Sequence, residues 1–408
     1  MIEYVKKKIV VYIMLSLKRL LLIVDGPGVM THTAPLVTSL LRQGVAVRVA
    51  LTESARLLVG DYFTTMLSGT PLIHFPEIPE KILDDSDAVL AAPVSEKLAK
   101  TLCEDNWLTV WKRVKGPVVV VPAFLPQEDG TAAVRTALSS LGVGAVQWLM
   151  ADGETTDMGS LGLLDVASPE RCLEAAMTAL TKQDFAGKRV LITAGPTAED
   201  FDPVRFVTNR STGRMGVALA RMAAWRGADV TIVHGPMSWP IPPNGGIHAC
   251  PVRNAQAMYD AVMARVADMD LAILCAAVAD FTPIEYSNVK IKKQKSADGV
   301  FSLKMKRTPD ILDSIGHSSG HRPFLVGFAA ESDHVQAYAQ AKLESKNCDM
   351  LCANDVTKPG SGFAVGTNQV TVFKRDGSVV ELPQMSKEDV ARRVLDMAME
   401  GMRQAAAI

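Results

Sequence analysis

KRVLITAG, residues 188–195, is the stretch that decides the fold. Two basic residues open it, and Val190, Leu191 and Ile192 follow without a polar break before Thr193, Ala194 and a glycine. An unbroken aliphatic run of this length fits a strand covered on both faces, the situation of parallel sheets. The pattern returns at ADVTIVHG (228–235), DLAILCAA (270–277), PFLVGFAA (323–330) and CDMLCAN (348–354). The first half repeats it at RLLLIVDG (19–26), VAVRVAL (45–51), DAVLAA (87–92) and PVVVVPA (117–123). Helical stretches lie between these runs; APLVTSLLRQG (34–44), for example, closes on a C-cap glycine. Buried strands alternating with helices imply an α/β protein made of two three-layer Rossmann-like domains with mostly parallel sheets.

Between the two series, residues 151–188 are polar and Gly-rich, with one helix around 169–181. The boundary is therefore expected near 183–187, giving domains 15–182 and 187–408. Near the end, NQVTVFKRDGSVVEL (368–382) predicts a hairpin turning at Asp376-Gly377, and an amphipathic helix follows over 386–404.

A chain of 408 residues has room for two such cores. Its 43 basic and 44 acidic residues leave a net charge of −1, which argues against a bulk nucleic-acid or membrane-surface binder and makes any anion binding local. The six cysteines (Cys103, Cys172, Cys250, Cys275, Cys348 and Cys352) form no CxxC pair, so a zinc ribbon or dithiol centre is not expected. They read as reduced core thiols, which fits a cytoplasmic location. The opening MIEYVKKKIVVYIML is a basic stretch and then a short apolar run, which Lys18 and Arg19 interrupt before LLLIV resumes, so it falls short of the roughly 20 apolar residues of a membrane span. It reads as an extension ahead of the first strand, with Met14 an alternative start.

In doubly wound sheets ligands bind beyond the carboxyl ends of the strands. After the strand at 188–195 comes a Pro- and Asp-containing loop and then NRSTGRMG, whose Ser211, Thr212 and Gly213 suit a helix start with exposed amides. Arg205, Asn209, Arg210 and Arg214 add donors. In isolation this is a capped helix beside solvated arginines. After the strand at 270–277 come VADFTP, with Asp280 placed to orient a hydroxyl or a metal-bound water, and NVKIKKQK (288–295), with four lysines in its last six residues. LKMKRTPDIL (303–312) brings a Pro-Asp turn into a helix, and Lys342 and Lys346 share a helix face. Each signal alone is weak. Together they put polar or basic groups after nearly every strand of this half, as a triphosphate with a divalent cation requires.

Residues 188–382 closely resemble the phosphopantothenate–cysteine ligase half of the bacterial bifunctional coenzyme A biosynthesis proteins. The resemblance is carried by ITAGPTAEDFDPVRFVTNRSTGRMG, CAAVADFTP, KIKK, TPDIL, VGFAAES and CANDV, in family order and spacing. It implies a CTP-dependent ligation of 4′-phosphopantothenate to L-cysteine through an acyl-cytidylate. By this resemblance Asn209 holds the acyl-cytidylate, and Lys290 binds CTP and stabilises the transferring phosphoryl group. Asp280, Phe328, Lys342, Lys346 and the turn Thr308, Pro309, Asp310 and Ile311 contact the nucleotide. Arg205 joins the catalytic set, and Arg210, Ser211, Gly213, Ala276 and Asn354 join Asn209 on the substrate. Arg210 stands where relatives commonly have histidine. Magnesium is carried mainly on the nucleotide phosphates, with Asp280 the one protein group that could meet it. The KIKKQK segment is a flap, and the family ligase is a homodimer whose sites borrow from both subunits.

The front half resembles, more loosely, the flavin-dependent decarboxylase half of the same proteins. The family's Gly-Gly-Ile turn appears here as DGPGVMTHT; Pro79 falls where the catalytic histidine belongs, with His74 several residues away. Leu125 replaces the family's asparagine, and Thr155 stands near the place of its flap cysteine. The helix start APVSEK (92–97) is also altered, which puts binding of flavin mononucleotide (FMN) in doubt. The expectation is a monofunctional ligase whose front half is an inactive scaffold. The alternatives are a bifunctional decarboxylase–ligase, in which His74 serves after all, and a non-catalytic partner subunit of another ligase.

Overall fold

The computed structural model describes residues 18–26, 28–102, 113–114, 116–123, 146–149, 166–292, 300–331, 335–355, 362 and 365–406. The chain divides into two compact units, Met1–Lys182 and Gln183–Ile408. The opening segment ahead of Lys18, with Met14, lies outside the described residues, as do Cys103, Leu125 and Thr155. No described helix is long and apolar enough to cross a membrane. The five described cysteines are free thiols.

In the front unit the strands β1 (Arg19–Val24), β2 (Ala46–Leu51), β3 (Ile73–His74), β4 (Ala88–Val94), β5 (Val118–Pro122) and β6 (Val146–Trp148) form a parallel sheet in the order β3-β2-β1-β4-β5-β6. The first helix, α1 (Ala34–Arg42), ends one residue before Gln43 and is followed by Gly44 at φ +79°. It is succeeded by α2 (Glu53–Ser68), α3 (Glu80–Asp84), α4 (Glu96–Leu102) and α5 (Pro169–Leu180). Leu20, Leu22 and Val24 bury one face of β1 in one apolar cluster, while Leu21 and Ile23 bury the other face in a second. That two-sided burial is why these strands read as continuous aliphatic runs rather than alternating ones.

The rear unit carries β7 (Arg189–Ala194), β8 (Ala198–Asp200), β9 (Phe206–Thr208), α6 (Arg214–Trp225), β10 (Asp229–His234), β11 (Ile247–Pro251), α7 (Ala255–Met263), β12 (Leu271–Leu274), β13 (Phe281–Pro283), β14 (Met305–Arg307) and α8 (Ile311–Gly316). It continues with β15 (Phe324–Glu331), α9 (Val335–Ser345), β16 (Met350–Asp355), β17 (Thr367–Asn368), β18 (Val370–Lys374), β19 (Val379–Glu381), β20 (Met385–Ser386) and α10 (Lys387–Ala406). Its main sheet has eight strands in the order β11-β10-β7-β12-β15-β16-β18-β19. The first six are parallel, and β18 and β19 close it as the expected hairpin, with Gly377 at φ +83°. β8 with β9 and β13 with β14 form separate two-stranded arms. α6 lies close on β7: a Cβ on Gly216 would meet the Ala194 Cβ at 2.5 Å.

Candidate active site in the rear unit

The loop after β7 and the loop after β12 are joined by hydroxyls rather than by strand pairing alone. Thr193 Oγ1, only 2% exposed, accepts from the amides of Cys275 and Ala276, each at 3.1 Å. Thr197 Oγ1 accepts from Ala279 N at 3.0 Å, and the Ala277 amide donates to Gly195 O at 2.9 Å. Asn209 sits on this frame: its Nδ2 donates to Ala277 O at 2.9 Å. Thr208 Oγ1 donates to Thr197 O at 2.7 Å. Gly213 begins α6 at φ +82° with no side-chain cap, so the helix presents its first-turn amides uncapped by a side chain. A Cβ on Gly213 would lie 2.3 Å from Met237 Sδ, which reserves the position for glycine on both conformational and steric grounds.

These elements enclose a cavity of about 300 Å³ between the start of α6 and the carboxyl ends of β12, β15 and β16. Of the residues expected from sequence, Asn209, Ser211, Gly213, Ala276, Phe328, Lys342 and Asn354 line it. Thr212 and Arg214, read from sequence as part of a helix start and as an added donor, also line it, as do Cys275, Asn368 and Lys387, which the sequence reading did not single out for the site. Lys387 is 3% exposed, and its Nζ donates to Gly362 O at 3.1 Å. Burial, reinforced by the neighbouring Arg214 charge, pulls its ammonium below the ordinary lysine range. Arg214 stacks over Trp239 at 4.5 Å, reaches Glu388 at 3.3 Å, and keeps a buried Nε–H with no hydrogen-bond partner among the described residues.

Arg205, Arg210, Asp280, Lys290, Thr308, Pro309, Asp310, Ile311 and Lys346 are not among the described residues lining the cavity. Arg205 was expected in the catalytic set. It is engaged elsewhere, pairing with Asp202 Oδ2 at 2.5 Å and donating to Ile291 O at 2.8 Å. The Ile291 amide in turn donates to the same Asp202 oxygen at 3.1 Å. Arg205 therefore clasps the segment that carries the exposed Lys290. The guanidinium beside Asp202 holds that carboxyl well below the usual range. Arg210 and Asp280 are exposed, and the Asp280 carbonyl accepts from Thr308 N at 3.0 Å. Lys346 is tied to Asp310 at 3.0 Å and Asp313 at 3.3 Å, which raises its pKa. Asp310 caps α8, while the Ile311 side chain packs in the core. Among the described residues no group of three His, Cys, Asp or Glu side chains converges as a metal site, and Asp280 joins no such group. In the front unit His74 ends β3 exposed, and Pro79 precedes α3.

A doubly wound sheet with a cleft lined by cationic side chains beyond the carboxyl ends of its strands is the architecture of an α/β enzyme. Residues 185–402 match the family model described as the DNA/pantothenate metabolism flavoprotein C-terminal domain. The coenzyme A biosynthesis bifunctional protein CoaBC of Vibrio cholerae is 35% identical over 404 residues, covering 94% of this chain and 98% of that protein. A solved structure of the C-terminal domain of a CoaBC protein is 38% identical and covers 55% of this chain and 100% of that chain, with a TM-score of 0.46. The FMN-dependent cysteine decarboxylase SpaF is 16% identical over 40% of this chain and 95% of that chain, with a TM-score of 0.32. The chain belongs to the family of coenzyme A biosynthesis bifunctional proteins and is an enzyme of that pathway. The expectation that the front half has lost its decarboxylase chemistry finds no support in these matches, because the match covers 94% of this chain and so runs through both units.

Proposed function

We propose that the rear unit is a phosphopantothenate–cysteine ligase that uses CTP. The observation that carries this reading is the cavity in which Arg214, Lys342 and Lys387 meet the α6 amides and Asn209, with no acidic side chain among the described residues of the lining. A carboxylate must approach a polyanionic nucleotide before it can be activated, and that approach needs positive charge fixed in advance. In this reading the 4′-phosphopantothenate carboxylate attacks the α-phosphorus of CTP, and pyrophosphate leaves. The amine of L-cysteine then attacks the acyl carbon of the acyl-cytidylate, CMP leaves with the bonding pair, and the amine loses a proton as the amide forms.

Asn209, fixed through Nδ2 to Ala277 O, holds the intermediate. Lys342 and Lys387 neutralise the anions in the cavity. Lys290, on the clasped segment, neutralises the transferring phosphoryl group. Arg205 is a positioning residue that sets where Lys290 stands through the Ile291 carbonyl. A magnesium ion would travel on the nucleotide phosphates rather than in a protein cage. The two arms expose Phe206, Val207, Phe281, Ile284 and Tyr286, an apolar surface that fits a homodimer formed through this unit.

Pyrophosphate release tests the ligase reading. Release that requires CTP, 4′-phosphopantothenate and the intact chain, with ATP a poor substitute and product formation dependent on cysteine, is the expected result. No nucleotide-dependent release would overturn it and favour a non-catalytic partner subunit. A second reading, in which the front unit also decarboxylates phosphopantothenoylcysteine with FMN, is favoured by the family match running through that unit. Its test is CO2 release from that compound by flavin-loaded protein.

A further inference from the structure

The strand order β3-β2-β1-β4-β5-β6 reverses between β1 and β4, and a doubly wound sheet opens its ligand crevice beyond the carboxyl ends of the strands at such a reversal. In the front unit Asp25 stands at that point, directly after β1, and it is 8% exposed. Its Oδ1 accepts from Thr52 Oγ1 at 2.6 Å and from Ser54 Oγ at 2.8 Å, both beyond the end of β2. Its Oδ2 accepts from Ser95 Oγ, beyond the end of β4. Three hydroxyls from two different strand ends thus converge on one carboxylate. The hydroxyls are themselves anchored, since Ser95 Oγ accepts from Leu98 N at 3.2 Å and Thr52 Oγ1 from Ala55 N at 3.4 Å. Their hydrogen bonds outweigh the cost of burial and keep Asp25 below the usual carboxylate range, so it is ionised at neutral pH.

A second feature closes the same crevice. A Cβ on Gly28 would lie 1.9 Å from Pro93 Cγ, so the proline ring of β4 is seated directly on the turn that follows β1. A phosphate monoester entering at the reversal would need hydroxyl donors and room beside the turn. Here the donors already serve a carboxylate, and the proline ring occupies the room.

We propose that Asp25 is a built-in anion occupying the phosphate-type pocket of the front unit, so that a phosphomonoester must displace it rather than enter an open site. The residues present therefore do not fit the phosphate of flavin mononucleotide with Asp25 in place: two anions would share three hydroxyl donors. This inference concerns the front unit alone and stands or falls independently of ligation in the rear unit.

The test is a fluorescence-quenching titration of the full chain and of Asp25→Ser and Asp25→Asn with FMN, riboflavin and inorganic phosphate. Wild type is expected to bind FMN no more tightly than riboflavin. Asp25→Ser is expected to bind FMN at least tenfold more tightly than wild type, with no such gain for riboflavin and with inorganic phosphate as a competitor. Asp25→Asn keeps the shape and removes the charge; it is expected to show part of the gain, and it replaces the serine variant should circular dichroism show that one unfolded. Wild type that purifies with one equivalent of FMN retained through gel filtration would overturn the proposal. So would folded variants that bind FMN no better than wild type.

Discussion

Replacing Thr193 with valine removes a single oxygen from the rear unit while keeping the volume of the side chain. That oxygen accepts from the amides of Cys275 and Ala276, at 3.1 Å each, from a position 2% exposed to solvent. Valine leaves both amides without their acceptor, at about 1–3 kcal/mol for each group that stays dry. Both residues are half-buried, so the lower end of that range applies, and the sum is about 2–4 kcal/mol. For a unit of this size that corresponds to a fall in Tm of roughly 5–15 °C. The loop that loses its anchor carries Ala277, whose carbonyl holds Asn209, so ligation should also slow under conditions where the variant is fully folded. The assay is a thermal melt followed by circular dichroism, with pyrophosphate release measured well below the transition. Thr193→Ser keeps the acceptor and should recover most of both losses. A valine variant melting within about a degree of wild type, with unchanged turnover, would refute the claim that the hydroxyl fixes this loop.

Lys290→Gln should slow ligation by at least tenfold with an unchanged melt, and normal turnover would remove Lys290 from the mechanism. Lys387→Gln should raise KM for the acid substrate by at least tenfold while the helix content of the chain stays constant; an unchanged KM would take Lys387 out of the site. Asp202 titrates below its unfolded value, so its contribution is present above the unfolded pKa of about 4 and is lost only as pH falls toward the folded value. Asp202→Asn should therefore depress turnover evenly from pH 5 to 8, and a loss confined to the acid end would show that the clasp was not intact at neutral pH. Phe281→Asp on the exposed arm should shift the chain toward a monomer in analytical ultracentrifugation, and an unchanged sedimentation coefficient would exclude the arm as the contact surface.

The sheet cores were legible because burial on both faces writes an unmistakable aliphatic run, as in Leu20–Val24 or Val190–Ile192. The edge strand β11, with sequence IHACP, was not, because it is half-exposed and carries no such run. The three-residue arm strands were missed for a related reason: Phe206, Val207 and Phe281 are apolar yet exposed, so they follow neither a buried nor an alternating pattern. Within the site, Asn209, Ser211, Gly213, Ala276 and Asn354 were accessible because each lies in a motif that carries the family resemblance, the first four in short loops after a strand or before a helix and Asn354 near the carboxyl end of β16. Arg205 and Lys346 each meet carboxylates in the structure, and the sequence reading named the cations without naming those partners. Asp202 lies three residues from Arg205, so that pairing could have been foreseen; Asp313 lies 33 residues from Lys346, and that one could not.

Lys387 did leave a signal. It is the first residue of α10, and Arg214 is the first residue of α6. A helix start carries the positive end of the macrodipole and favours an anion there. Two helices that each open on a cation, with both cations lining one cavity, set like charges against two dipoles that also repel them. Glu388 meets Arg214, and burial first, with the Arg214 charge behind it, lowers the pKa of Lys387. Natural sequences break such a local rule mainly at functional sites. A substrate that brings several negative charges would restore the balance, and of the reactants in the ligation both the nucleotide and the phosphorylated acid do so. The same reasoning separates the two units: the rear cavity gathers the side chains of Arg214, Lys342 and Lys387 along one lining, whereas in the front unit three hydroxyl donors already serve the Asp25 carboxylate.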